Sequence, residues 1–375
     1  MTIFERLRDH LDALPHGFPP AADGVELRIL AKIFTPGEAE LALALLPVPE
    51  PAEAIARRIG RGPDETAAAL DAMAVKGEIA ALRHGGRRMY TLVPFVFGIY
   101  EFQLPRMDAE LAALCEDYMP TLHRVLGGYP PALGRVVPVN QRIEAEATVL
   151  RHENVKTMLE GARSIRVMDC VCRKERAVLG KACGAPVEVC LAFSREEGSL
   201  DDFPSYGRVI ERDEAYRILD RAERAGLVHC TYNVQSDQIF VCNCCPCCCG
   251  FLRGIKESHA PHILVRSNFV ARVDDALCGA CGACLTRCPL DALTAEGGTV
   301  RVDGARCIGC GVCTIVCAKH ALDLVMRPAA ECTTPPGSML GWAFRRAHSR
   351  FGLVGAVTRM ARLGPAATRW IVPRA

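Results

Sequence analysis

No stretch of the chain approaches the roughly 20 consecutive apolar residues that a membrane-crossing helix requires. The opening MTIFERLRDHLDALPHGFPP mixes acids with bases and has no apolar core of an export signal. Both absences lead us to expect a cytoplasmic protein. A GxGxxG fingerprint, a P-loop and a catalytic-triad motif are also missing, so no nucleotide cofactor and no obvious substrate site are expected. Acidic residues stop at Glu331. Cysteine is nearly absent from the first 169 residues, where Cys115 stands alone.

Cysteine is otherwise abundant. The 375 residues hold 21, and 20 of them fall between Cys170 and Cys332. Disulfides would suit a small secreted domain, but a reducing compartment disfavours them, so most of these thiols are expected to ligate metal. Half of the residues are hydrophobic and 23% are charged, a folded rather than a disordered balance, with length for two or three domains.

Cys278, Cys281, Cys284 and Cys288, followed by Pro289, fit C-x2-C-x2-C-x3-C-P. Cys307, Cys310, Cys313 and Cys317 repeat that spacing 29 residues later, with Ala318 in place of the second proline. Soft thiolates in this run are the bacterial ferredoxin signature, whereas four-cysteine zinc sites typically pair two separate C-x2-C knuckles. Over residues 268–327 the sequence resembles a two-cluster ferredoxin domain. That resemblance implies crossed ligation of two [4Fe–4S] clusters, one on Cys278, Cys281, Cys284 and Cys317 and the other on Cys307, Cys310, Cys313 and Cys288.

Ten more cysteines lie upstream in two groups: Cys170, Cys172, Cys183 and Cys190, then Cys242, Cys244, Cys245, Cys247, Cys248 and Cys249 within VCNCCPCCCG. Cys170 and Cys172 follow the strand-like SIRVM and are expected to face one side. Neighbouring residues on an extended chain face opposite ways, so the VCNCCPCCCG stretch serves two centres, or one with spare thiols. One or two further iron–sulfur clusters are expected here, with zinc as the alternative. Cys248-Cys249-Gly250 resembles, over three residues, the CCG element of heterodisulfide-reductase-like proteins, which would imply a noncubane cluster. The order C-x-C-R-K-E, G-x-x-C, C-L and CNCC-x-CCC, with GVELRIL and FGIYEF nearer the N-terminus, is similar to a bacterial and archaeal family of 4Fe-4S-binding proteins. Cys115, Cys230 and Cys332 match no spacing and read as buried structural thiols.

Residues 37–93 read as helix, helix, helix and hairpin: GEAELALALL, AEAIARRIG closed by Gly60, GPDETAAALDAMAVKGEIAAL with Ile79 on its apolar face, and ALRHGGRRMYTLV around Gly85-Gly86. This order resembles a winged helix-turn-helix domain. Its third helix carries Asp64, Glu65 and Asp71 against Lys76, a poor surface for a polyanion, so specific DNA binding is not expected even though Arg83, Arg87 and Arg88 make the wing basic. DEAYRILDRAERAGL, residues 213–227, reads as a further helix with an apolar stripe.

The tail reverses the charge of the chain. Residues 339–375 carry Arg345, Arg346, Arg350, Arg359, Arg362, Arg369 and Arg374 and no acid. The whole chain is +2, so the first 338 residues stand at net −5. Trp342, Phe344, Phe351, Leu353, Val357, Met360, Leu363 and Trp370 are interleaved with these charges, a pattern expected to contact a membrane surface or an acidic protein.

The fold class expected is therefore α+β and multidomain. It comprises a winged-helix-like and helical region over 1–160, a cysteine-rich metal or cluster domain over 161–267, a two-cluster ferredoxin domain over 268–327 and a basic amphipathic tail over 328–375. The expected function is relay of single electrons to or from a partner redox enzyme. The alternatives are a cluster-bearing, redox-sensing transcription regulator and an oxidoreductase whose cysteine-rich centre is itself catalytic.

Overall fold

The computed structural model describes residues 1–139, 151–201, 207–258 and 263–362. It mixes helices with a seven-stranded sheet, and a unit of two small antiparallel sheets carries the ferredoxin-type cysteine runs.

The N-terminal region is helical because its ends are well signalled. Thr2 and Thr35 each head a capping box, with Glu5 and Glu38 closing it, at helices Ile3–Asp12 and Pro36–Ala42. Helix Ala52–Ile59 ends at Gly60 in the left-handed conformation. The next helix, Pro63–Val75, is shorter than the sequence suggests: it stops before Gly77, and Ile79 lies outside it. Gly77 has φ +73°, and a Cβ there would lie 2.3 Å from the Phe102 carbonyl oxygen, so only glycine makes this turn. The hairpin β1 (Ala80–His84) and β2 (Arg87–Thr91) follows, turning at Gly85-Gly86. Helix Ala109–Gly128, capped by Asp108, runs well beyond the MDAELAALCEDYM segment and carries Pro120 inside it.

The central sheet has the order β6-β4-β5-β8-β7-β3-β9. Its strands are β3 (Gly134–Val137), β4 (Ser164–Asp169), β5 (Glu188–Ser194), β6 (Arg208–Val209), β7 (Val228–Tyr232), β8 (Phe240–Cys244) and β9 (Leu264–Val265). Alternation along β5 and β8 divides the sheet by face. Val189, Leu191, Phe193 and Val241 pack with Ile218 and Leu219 of helix Arg212–Arg224. Cys190 on β5 and Cys242 and Cys244 on β8 take the other face, where Cys230 of β7 is the register partner of Cys242.

Strands β10 (Phe269–Val273) and β13 (Leu322–Met326) pair antiparallel, as do β11 (Leu293–Glu296) and β12 (Thr299–Val302). This unit is tied to the central sheet through Glu153, which is paired with the fully buried Arg135 of β3 at 3.0 Å and accepts the Asn268 N–H at 2.9 Å.

The tail is partly built into the fold. Helix Met339–Arg362 breaks at Gly352. Before the break, Trp342 is 1% exposed and donates from Nε1 to the Ala132 carbonyl at 2.9 Å. Arg346 is fully buried and donates to the carbonyls of Pro15, Val125, Leu126, Tyr129 and Pro131. Val125 and Leu126 belong to the last turn of Ala109–Gly128, where a cation is favoured. Arg350 pairs with Asp12 at 2.9 Å. Arg346 and Arg350 are thus tied to the N-terminal region, while Arg359 donates to the Gly355 carbonyl of its own helix at 3.3 Å. Beyond the break Leu353, Val354 and Val357 are exposed. Leu363, Arg369, Trp370, Arg374 and the side chain of Arg362 lie outside the described residues.

Candidate metal centres

The two ferredoxin-type runs fold as a repeat. Asp274 and Asp303 open the loops, each carbonyl accepting the N–H of the first cysteine, Cys278 at 3.0 Å and Cys307 at 2.9 Å. At the far end Cys288 Sγ accepts the Ala292 N–H and Cys317 Sγ accepts the Ala321 N–H, both at 3.2 Å. Such N–H···S bonds are what a charged thiolate needs. Between these points, Ala280 and Gly282 in one loop and Gly309 and Gly311 in the other have positive φ, which coils the backbone around the thiols. A Cβ on Gly309 would lie 2.1 Å from the Phe269 carbonyl oxygen. The donor set and the coiled loops fit cubane clusters.

The two halves differ in exposure. Cys288 lines one small cavity with Cys307, Cys310 and Cys313, and Cys310 is buried against Val139, whose N–H donates to the Cys310 carbonyl at 3.0 Å. Burial pushes the Cys310 thiol far up and the Cys313 thiol up to about 12. Cys284 is packed beside Cys278, Cys281 and Cys317, and Cys281 is exposed. One group of four therefore faces the body of the protein and the other faces outward.

The ten upstream cysteines divide into two sets. Cys183, Cys245, Cys247 and Cys248 have all their sulfurs within 4.8 Å of one another. Cys170, Cys172, Cys249, Cys244, Cys242 and Cys190 form a closed ring of neighbouring thiols, with Cys230 attached through Cys244. Cys170 and Cys172 come together by a different route from the one the sequence suggests. Strand β4 ends at Asp169; Cys170 is the N-cap of helix Val171–Val178 and Cys172 lies in its first turn. Hydrogen bonds from Cys172 and Cys190, reinforced by the Arg173 charge, hold the Cys170 thiol well below its usual range.

Arg173 had no assigned role in the sequence, although the C-x-C-R-K-E stretch contains it. It is 3% exposed and donates to the Asn243 carbonyl at 2.8 Å, while its Nε and Nη1 have no hydrogen-bond partner among the described residues. A buried guanidinium is costly unless charge compensates it, and Cys170, Cys245, Cys244 and Cys190 lie around it. An anionic thiolate centre would supply that compensation. Six thiols with a buried cation among them fit a further iron–sulfur centre.

A cavity of about 420 Å³ touches all six ring cysteines and reaches Leu82, Glu196 and the exposed Ile239. Its walls include Phe97, a bulky residue at φ +61°, packed on Tyr232, Phe240 and Phe251. Strain of this kind is held in place only by surrounding structure. Glu101 also lines it, accepting the Gly98 N–H at 2.8 Å, and burial raises its carboxyl to about 8. Tyr100 donates to Glu175 at 2.5 Å, and burial lifts the Glu175 carboxyl to about 7. These acids sit in GIYEF and CRKE, and nothing in their local spacing marks them as neighbours.

Of the three thiols without a spacing, Cys115 and Cys230 are buried and Cys332 is half-buried. No helix among the described residues is long and apolar enough to cross a membrane. A family model described as a 4Fe-4S dicluster domain matches residues 271–318. No curated protein and no solved structure is matched by the chain.

Proposed function

We propose that the protein relays single electrons to or from a partner redox enzyme. Bound clusters supply one-electron exchange; the chain supplies the ligands and the two environments. Cys278, Cys281, Cys284 and Cys317 would hold the outward cluster, and Cys288, Cys307, Cys310 and Cys313 the inward one. The observation that carries this reading is the contrast between exposed Cys281 and buried Cys310. Solvent exposure and hydrogen bonding to sulfur set cluster potentials, so the two positions are suited to different steps of a relay. From Cys310 the backbone contact to Val139 leads into β3, and β3 pairs Val136 with Cys230 beside the six-thiol ring. The test is a potentiometric titration of the anaerobic protein followed by EPR. Two or more centres with separated one-electron potentials support a relay, and no reducible centre overturns it.

The order of helices and hairpin in residues 36–91 suits a winged-helix module used for packing. Arg88 pairs with Asp71 at 2.6 Å and Arg87 with Glu53 at 3.4 Å, so these two wing charges are met within the region. The tip docks on the middle region, where Glu196 accepts the Gly85 N–H at 2.6 Å and His84 lies against its other oxygen at 2.7 Å. A gel-shift assay with random-sequence DNA at low salt is the check, and tight binding would restore the regulator.

A second reading is favoured by the cavity, since a small molecule in it would meet the ring thiols. An oxidoreductase with that ring as its reacting centre would lose turnover in Cys249→Ser and keep it, with an artificial reductant, in Cys281→Ser.

A further inference from the structure

The VCNCCPCCCG segment contributes thiols to both upstream sets, and the smaller set has the spacing of a shell around a single ion. Cys183 Sγ lies 3.9 Å from Cys245 Sγ and 3.6 Å from Cys248 Sγ, and Cys247 Sγ lies 3.8 Å from Cys248 Sγ. A tetrahedral zinc with Zn–S bonds of about 2.3 Å places its four sulfurs about 3.8 Å apart. A cubane puts an iron between each thiolate and the cluster's centre, and so demands a much wider thiolate tetrahedron.

We propose that Cys183, Cys245, Cys247 and Cys248 hold one zinc ion in a closed, structural site. Four thiolates fill a tetrahedral shell and leave no position for water or substrate. Soft ligands and the absence of any carboxylate or histidine from the set select a zinc-class ion over magnesium, calcium or manganese. The chain geometry explains why these four separate from their neighbours. Strand β8 ends at Cys244 and the next helix begins at Gly250. Cys244 keeps to the ring face of the sheet, while Cys245 also packs with the core cluster of the opposite face, as successive residues leaving a strand do. Cys249 returns to the ring just before the helix, so the intervening turn carries Cys247 and Cys248 to the second set. Cys183 arrives from the loop after helix Val171–Val178, 62 residues before Cys245. The ion would pin this loop to the turn and fix the directions in which Cys244 and Cys249 leave it. Cys245 and Cys248 are buried and Cys247 is exposed, which places the site at the edge of the molecule with an entry path for the ion. The site is redox-silent, so it stands apart from the electron relay and does not depend on it.

The experiment is metal and sulfide analysis of the full chain purified without oxygen, with Cys183→Ser and Cys247→Ser alongside. The expected result is one zinc per chain in the wild type, in addition to iron and sulfide, and its loss in both variants while iron and sulfide are unchanged. Protein produced in cobalt-supplemented medium should carry a tetrahedral cobalt–thiolate spectrum that both variants lack. Wild-type protein without zinc overturns the proposal whether or not the variants fold. So does a variant that loses about four iron and four sulfide per chain, because the four thiols would then hold a cluster. One sulfide-free iron at the site overturns the choice of zinc.

Discussion

The Val139 N–H donates to the carbonyl oxygen of Cys310 at 3.0 Å, and this bond joins the inward ferredoxin loop to the end of β3. The neighbouring loop residue Gly309 is held as closely: the Ser267 hydroxyl donates to its carbonyl at 2.7 Å. The inward cluster position is therefore a packed seam between two sheets rather than a separate appendage.

Gly309→Ala should damage that seam. The new Cβ would meet the Phe269 carbonyl, and φ +66° adds the left-handed penalty, for a loss of at least about 2 kcal/mol. Gly297→Ala also imposes a positive φ, +60°, but meets nothing within 4 Å, so it should cost only about 1–2 kcal/mol. Denaturant midpoints of the two variants measure the difference; equal losses would refute the close approach.

Arg173→Gln removes the buried cation beside Cys170, Cys245, Cys244 and Cys190. Breaking a buried charge pairing typically costs about 3–5 kcal/mol, and the six-thiol ring should lose its iron. The ferredoxin unit keeps its own eight cysteines, so its iron should remain. Iron analysis decides: wild-type iron content in the variant would separate Arg173 from the ring.

The tail should behave as two parts. Removing residues 353–375 leaves Trp342, Arg346 and Arg350 in place and takes away the small buried Ala356, so cluster content should be unchanged and the melting temperature should fall only slightly. Removing 339–375 deletes the buried Trp342 and should cost about 3–5 kcal/mol or more. Binding to anionic vesicles, if the tail provides it, belongs to exposed Leu353, Val354 and Val357 and the residues after them. Vesicle binding that survives loss of 353–375 would end the membrane reading.

Stability should fall in mild acid because of His16. Burial, aided by the charges of Arg346 and Arg350, lowers its pKa from 6.5 to about 3, so the folded protein keeps it neutral. Its stabilising contribution is complete above pH 6.5 and is lost as pH falls towards 3, because only the unfolded chain takes up the proton. At pH 5.5 the loss is about 1.4 kcal/mol. His16→Phe should narrow the gap in denaturant midpoint between pH 8 and pH 5.5, and an unchanged gap would show that His16 is not the group responsible.

What was legible in the sequence was local. Both ferredoxin-type runs could be read because their ligands sit within a few residues of one another, and helix Ala52–Ile59 and the Gly85-Gly86 hairpin because their caps and turn residues are explicit. The ten upstream cysteines could be counted but not sorted, since the sorting depends on Cys183 meeting Cys245 across 62 residues. Arg346 was illegible for a related reason: a basic residue on an amphipathic helix looks alike whether it faces lipid or five backbone carbonyls. Glu101 has no local signal of its own, and only the fold brings it to the cavity, while Glu175 meets the cavity wall through Tyr100.

The most direct test of the iron–sulfur reading is iron and acid-labile sulfide per chain in anaerobically prepared protein, with EPR after reduction. The expected result is at least about eight of each, with signals from more than one [4Fe–4S] centre. Stoichiometric zinc at the ferredoxin cysteines, with no sulfide and no reducible signal, would contradict it.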